Sequence, residues 1–155
     1  SFGGGITLGG VGGITSGGGD GLTPVTSSII SKTGASNLLI NNRQTKKYIS
    51  NFSIRELQIV VKRMKLPQGE LSKIAKTLNI IELDQNFSKI QDTYKNCVSD
   101  KNDSHIIAGA VSSKCKFIIS FNLKHYNREK IKKDFNISIL TPGDFLQHLR
   151  KSGLI

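Results

Sequence analysis

The string DSHIIAGAVSSKCKFIISFNLKHY, residues 103–126, carries the strongest fold signal in the chain. Its first half predicts a helix over residues 103–113, because apolar residues recur there at helical spacing. Its second half contains KFIISF at 116–121, and this short apolar run predicts a buried strand. The apolar face of the predicted helix consists of Ile106, Ile107, Ala110 and Val111. A helix followed by a buried strand is typical of a chain that alternates the two elements.

The same alternation continues on both sides of this helix–strand unit. Other short apolar runs predict strands at 46–50, 80–83 and Ser138–Leu140. Capping residues and periodic apolar positions predict helices over 53–64, 68–78, 87–97, 127–134 and from Thr141-Pro142 onward. Residues 23–42 predict two helical pieces with a break at Thr33-Gly34. The pattern indicates an α/β fold in which helices flank a central parallel sheet.

Composition separates the first 22 residues from the rest of the chain. Of the 16 glycines, eleven lie in residues 1–21, where Asp20 is the only charged residue. Glycine loses more backbone entropy on folding than any other residue, so this stretch is predicted to be flexible and of low complexity. It also lacks the GK[ST] ending of a phosphate-binding loop. We therefore expect a glycine-rich segment over 1–22 and one globular domain over 23–155.

The charge balance favours a polyanionic partner. The 155 residues carry a formal net charge of +11, and the sequence pI is about 9.8. A chain this basic is attracted to the phosphate backbone of nucleic acids. A general excess of lysine and asparagine would give the same charge with nothing more than a solvated basic surface, so that alternative stays open.

The sequence contains no membrane or disulfide signal. No apolar run approaches the roughly 20 residues that span a bilayer, and the N-terminus lacks the pattern of a secretory signal. These features predict a soluble, cytoplasmic protein without membrane contact. Cys97 and Cys115 show no metal-ligand spacing and are interpreted as buried thiols.

Carboxylates that could serve chemistry are few, since the chain has eleven acidic residues. Asp103 starts the strongest predicted helix, either as its N-cap or as a metal-site carboxylate at the mouth of the sheet. Glu56 either closes a capping box with Ser53 or reaches from its helix toward the strand ends. Asp100 is interpreted as a loop residue, with a supporting role beside Asp103 as the alternative.

Sites in parallel sheets form beyond the carboxyl ends of the strands. This rule singles out the residues just after position 119, which are Ser120, Phe121 and Asn122. His105 and His125 are interpreted as packing or surface residues, with an approach to substrate as the alternative. No GxSxG motif supports catalysis by a serine nucleophile.

With these residues in view, the chain resembles the PIN domain family, in particular its branch of toxin-like ribonucleases. The resemblance covers roughly residues 25–150. Its central part is the string at 103–126, which is similar to the family's Asp-started helix and following strand. The other similar segments are SKTGAS at 31–36, SIRELQIVVKR at 53–63 and ILTPGDFLQHL at 139–149.

The resemblance implies a PIN-like three-layer sandwich and a set of site residues. Glu56 and Asp103 fall on metal-site positions, and Asn122 falls where many members have a third Asp. His125 stands where an Asp often follows. The family's first strand ends in a metal-binding Asp, for which Asp20 is the only candidate here, although it lies a few residues early in a glycine-rich setting.

The leading hypothesis is therefore a Mg²⁺- or Mn²⁺-dependent endoribonuclease that resembles toxins of toxin–antitoxin pairs. Glu56, Asp103 and Asp20 would bind the metal, and Asn122 would orient water or the scissile phosphate. The resemblance also implies an antitoxin partner and a homodimer. The RNA backbone would contact Lys114, Lys116, Lys124, Lys130, Lys132 and Lys133. The alternatives are a catalytically inactive PIN-like domain that binds RNA or protein, and a basic nucleic-acid module whose PIN likeness is accidental.

Overall fold

A computed structural model of the chain describes residues 6–8, 35–63, 65, 67–84 and 86–155. The strands in these residues are β1 (Ile6–Leu8), β2 (Lys47–Ser50), β3 (Asn79–Ile81), β4 (Phe117–Ile119) and β5 (Ser138–Leu140). The helices are α1 (Ala35–Asn41), α2 (Asn51–Arg63), α3 (Gln68–Ala75), α4 (Phe87–Tyr94), α5 (Ser104–Ser112), α6 (Arg128–Phe135) and α7 (Pro142–Lys151). Two short 3₁₀ helices lie at Lys101–Asp103 and Leu123–His125.

All five strands form one parallel sheet in the order β3-β2-β1-β4-β5. The central strand β1 pairs with β2 on one side, where Ile6 lies opposite Lys47, and with β4 on the other, where Ile6 lies opposite Phe117. The strand order changes direction between β1 and β4. In an open parallel sheet, a crevice forms at such a switch point, beyond the carboxyl ends of the strands.

The central strand comes from the glycine-rich segment, and this differs from the sequence prediction. Residues 1–22 were expected to form a flexible stretch, yet Ile6–Leu8 lies between two paired strands. Parallel pairing uses backbone N–H and C=O groups, so three non-glycine residues suffice for a short strand between two neighbours. The rest of that segment, including Asp20, and the helical piece predicted before Gly34 lie outside the described residues.

The hydrophobic core lies on both faces of the sheet. Successive residues of β4 point to opposite faces, because side chains alternate along a strand. Ile118 packs with Ile107 of α5 and Ile131 of α6 in one buried cluster. Ile119 packs with Leu39 of α1 and Phe145 of α7 in a second cluster. The predicted α/β class, with helices flanking a parallel sheet, is confirmed.

The start of α2 differs from the predicted capping box. The helix begins at Asn51, directly after β2, so Ser53 lies within its first turn. The backbone N–H of Ser53 donates to Oγ of Ser50 at 3.1 Å, which makes Ser50 the capping side chain. The prediction that Ser53 caps the helix with Glu56 is therefore wrong, and the Glu56 carboxylate bonds elsewhere.

The final helix follows its sequence signals. The hydroxyl of Thr141 accepts a hydrogen bond from the Asp144 backbone N–H at 3.1 Å, and Pro142 occupies the first turn of α7. The inward-facing residues predicted for this helix, Phe145, Leu146 and Leu149, are buried.

An antiparallel bridge holds together the loops that precede α5 and follow β4. Val98 pairs with Tyr126 in this bridge. The N–H of Ser99 donates to the carbonyl of His125, and the N–H of Asn127 donates to the carbonyl of Cys97, both at 2.8 Å. As a result, the loop after β4 lies against the segment that leads into Asp103.

Two other sequence expectations concern cysteines and membranes. Cys97 and Cys115 are both buried, as expected, and no disulfide joins them. Among the helices of the described residues, none has the length and apolar character to cross a membrane.

Candidate metal and nucleic-acid site

Three predicted site residues lie at the carboxyl edge of the sheet. Glu56 is six residues past the end of β2, and helical side chains tilt toward the helix N-terminus, so it points back to that edge. Asp103 is the residue directly before α5. Asn122 follows β4 by three residues. Asp20, the remaining predicted ligand, lies outside the described residues.

The Glu56 carboxylate is held by a buried histidine. Nε2 of His105 lies 3.2 Å from Oε1 of Glu56, and His105 has no exposed surface. On the other side of the imidazole, Nδ1 lies 3.1 Å from Oγ of Ser50 and 3.3 Å from Oγ of Ser53. Both serines are themselves buried. The interpretation of His105 as a packing residue is incomplete, because both of its ring nitrogens have polar partners.

Aromatic rings enclose the same histidine. The centroid of the Phe52 ring lies 5.8 Å from that of His105, and the Phe87 centroid lies 6.1 Å away. The two phenylalanine rings also contact each other, with centroids 5.1 Å apart. This apolar packing excludes water from the imidazole and strengthens its polar contacts.

Asp103 is buried and does not cap its helix. It is 2% exposed, and its side chain makes no capping hydrogen bond to α5. Its Oδ2 lies 3.6 Å from Nδ1 of His125, which is partly exposed. Asp103 therefore occupies the N-cap position, as predicted, but its side chain does not cap the helix, whereas Asp100 does cap the 3₁₀ helix by accepting from the N–H of Asn102 at 2.9 Å.

The electrostatic surroundings of Asp103 are unfavourable for a bare carboxylate. The pKa of its carboxyl is raised to about 6, mainly by burial and also by the negative charges of Asp100 and Glu56, while His125 and His105 oppose the rise. Of these groups Glu56 has the smallest effect, so the two predicted ligands are within electrostatic range of each other, and Asp100 acts on Asp103 more strongly. Carboxylates that repel one another are stabilised by a nearby cation.

Unpartnered oxygens concentrate at this site. In the described residues, three buried side-chain oxygens lack a hydrogen-bond partner: Oε2 of Glu56, Oδ1 of Asp103 and Oγ of Ser104. Buried polar atoms are rarely left without a partner, and each exception calls for a structural or functional explanation. All three belong to the carboxylates discussed above or to the residue next to one of them.

The loop after β4 supplies further polar and aromatic groups. The backbone N–H of Asn122 donates to Oγ of Ser120 at 3.2 Å. Burial raises the pKa of the Tyr126 hydroxyl, the negative charge of Asp103 adds to the rise, and a hydrogen bond with Ser120 opposes it. Tyr126 therefore lies near the carboxylates. Phe121 is 36% exposed beside Asn122.

The structure divides the predicted RNA-binding lysines between two edges of the sheet. Lys124 lies in the loop after β4, at the carboxyl edge. Lys114 and Lys116 precede β4 and lie at the opposite edge, so their assignment to the carboxylate site is wrong. Sequence alone does not reveal on which end of a strand a flanking lysine lies until the strand direction is known. The exposed cations near the carboxyl edge that the prediction missed are Arg55, Lys101 and Arg128.

Lys130 and Lys132 on α6 have partners of their own. Nζ of Lys130 forms an ion pair with Asp134 at 2.7 Å, and Nζ of Lys132 donates to Oγ of Ser138 at 3.2 Å. Lys133 is exposed near the C-terminal end of the same helix, which is the end farther from the carboxyl edge.

Within the described residues, no cluster of three or more His, Cys, Asp or Glu side chains has an arrangement that would hold a metal ion. The site there consists of two carboxylates with histidine neighbours. No protein-family model matches the chain, and no curated protein matches its sequence.

Proposed function

We propose that the chain is a PIN-like, Mg²⁺- or Mn²⁺-dependent endoribonuclease. The observation that supports this proposal most strongly is the set of unpartnered buried oxygens on Glu56, Asp103 and Ser104. Two carboxylates at the same edge of the sheet, each with an unused oxygen, would provide the hard oxygen ligands that these cations prefer.

Two carboxylates are enough for this type of cation. Mg²⁺ usually keeps several waters and is bound through one or two carboxylates together with substrate phosphates. Oε2 of Glu56 and Oδ1 of Asp103 would hold it here, with Asp20 as a proposed third ligand. When bound, the metal would supply an activated water and neutralise charge on the scissile phosphate.

Neighbouring residues fit the handling of RNA. Asn122 would orient the attacking water or the phosphate from its position after β4. Lys124 is exposed beside it and would contact the RNA backbone, and the exposed ring of Phe121 offers a surface on which a base can stack. The likeness to PIN toxins adds an antitoxin partner, a homodimer and a cytoplasmic location to the proposal.

Metal-dependent cleavage of single-stranded RNA tests the proposal. The wild-type protein is expected to cut a fluorescent RNA in Mg²⁺ or Mn²⁺ and to stop in EDTA. Glu56→Gln and Asp103→Asn are each expected to reduce the cleavage rate by more than about 100-fold. Loss of a ligand should have a larger effect than loss of a residue that only orients a ligand. The matched control is Asp134→Asn, which changes an exposed carboxylate at the far end of α6 and should retain cleavage.

The second candidate function is an inactive PIN-like domain that binds RNA or protein. It is favoured because the described residues contain no group of three or more His, Cys, Asp or Glu side chains placed to hold a metal ion. RNA binding by the wild-type protein, without cleavage in any divalent metal, would support this candidate and contradict the nuclease. A fold without a parallel sheet would support an accidental likeness to PIN domains, and the described residues do form a parallel sheet.

A further inference from the structure

We propose that His105 is a positioning residue that fixes the Glu56 carboxylate as a metal ligand, with Ser50 and Ser53 as its anchors. This inference rests on the proposed metal site and adds to it the group that orients one ligand. It arises from a chain of contacts that runs from the end of β2, through the imidazole, to one oxygen of the carboxylate.

The geometry leaves one carboxylate oxygen for a cation. Oε1 of Glu56 is engaged by Nε2 of His105 at 3.2 Å, whereas Oε2 is buried and has no partner in the described residues. A carboxylate held at one oxygen presents the other in a fixed direction. Outer partners of this kind orient metal ligands and typically contribute about 10- to 100-fold to metal affinity.

The imidazole is itself immobilised. Its Nδ1 faces the hydroxyls of Ser50 and Ser53, and each hydroxyl can donate or accept a hydrogen bond. The two serines are also 3.2 Å apart, so the anchor is a connected group. Phe52 and Phe87 restrict the ring from its sides. His105 thus connects the rigid end of β2 to a side chain on α2.

Two substitutions separate the contacts of His105. Asn at position 105 places its amide near the position of Nδ1, so it keeps the serine contacts and loses the one to Glu56. Gln places its amide near the position of Nε2 and keeps a donor for the carboxylate. A role limited to packing would not distinguish the two variants by metal affinity.

The test is Mn²⁺ binding measured by electron paramagnetic resonance, without RNA, on wild type, His105→Asn and His105→Gln. The folded state of each variant is checked by thermal melting. We expect His105→Asn to weaken Mn²⁺ binding by about 10- to 100-fold and His105→Gln to stay within about threefold of wild type. Ser53→Ala, a milder change at the anchor, is expected to weaken binding a few-fold and serves if His105→Asn does not fold.

Each failure has a different signature. Wild-type Mn²⁺ affinity in folded His105→Asn, or in Ser53→Ala when His105→Asn does not fold, would overturn the positioning role and leave the metal site standing. A wild-type protein that binds no Mn²⁺ would overturn the metal site and the positioning role together.

Discussion

Lys47 and Asp103 are both buried charged residues, and they lie at opposite edges of the same sheet. Lys47 begins β2 and is 5% exposed, and its Nζ donates to the backbone carbonyls of Asn42 and Thr45. Asp103 lies at the carboxyl edge and is 2% exposed, and its Oδ1 has no partner in the described residues. The lysine is satisfied by the protein itself, whereas one oxygen of the aspartate has no hydrogen-bond partner in the described residues, as expected of an atom that binds something else.

The pKa shifts follow the same contrast. Burial lowers the pKa of Lys47. The pKa of Asp103 is raised to about 6, mainly by burial and also by the negative charges of Asp100 and Glu56. A cation bound beside Asp103 would compensate its negative charge, whereas the ammonium group of Lys47 already has carbonyl acceptors.

The largest expected effect is a pH-dependent loss of unfolding free energy in the metal-free protein, caused by the buried carboxyl of Asp103. Its folded pKa of about 6 lies above the unfolded value, so its contribution to stability is present at low pH and is lost as the pH rises through 6. Asp103→Asn removes that cost. The unfolding free energy of the variant is expected to rise relative to that of wild type as the pH increases from 4 to 7, by up to about 3 kcal/mol.

Urea melts in EDTA at these two pH values measure the difference. Asp134→Asn serves as the exposed control and should show little change relative to wild type. Equal stability of Asp103→Asn and wild type at pH 7 would show that the buried carboxylate carries no such cost.

A smaller effect is expected at the opposite edge. Lys47→Met keeps most of the side-chain volume but leaves the carbonyls of Asn42 and Thr45 without their donor. We expect a loss of about 1–3 kcal/mol in unfolding free energy at pH 7 and unchanged Mn²⁺ affinity. Lys46→Met changes the exposed neighbour and is the matched control. Weaker Mn²⁺ binding by folded Lys47→Met would contradict the proposal that the metal site depends on the carboxyl edge and not on the opposite edge.

The smallest effect concerns RNA affinity at the two edges. Lys124→Ala, at the carboxyl edge, is expected to weaken RNA binding and to reduce the salt dependence of the binding constant by about one in log–log slope. Lys116→Ala, at the opposite edge, should change neither quantity. Lys116 is preferred to Lys114 because the latter has a φ of 54°, which alanine would adopt only with strain. Equal losses in both variants would indicate that RNA does not bind specifically at the carboxyl edge.

Local patterns were sufficient to predict much of the fold. The apolar run at 116–121 contains β4, and Ser138–Leu140 was predicted with its observed bounds. The central strand was missed because a short strand between two others depends on backbone pairing rather than on an apolar run. Ser53 was misassigned as a cap because α2 begins without a loop after β2.

The candidate site could be predicted only in part. Glu56 and Asp103 stood out because carboxylates are few in this chain. The contacts of His105 could not be read from local sequence, since they join residues 49 to 55 positions apart. The position of Lys116 was mistaken for a similar reason, because the end of the sheet on which it lies depends on the direction of β4.

The most direct test of the shared cation site is a crystal structure of the protein with Mn²⁺, with anomalous diffraction recorded to locate the ion. The predicted result is one anomalous peak about 2 Å from both Oε2 of Glu56 and Oδ1 of Asp103, as expected for direct coordination by oxygen ligands. An ion bound elsewhere, or two carboxylates too far apart to contact one ion, would contradict the central claim.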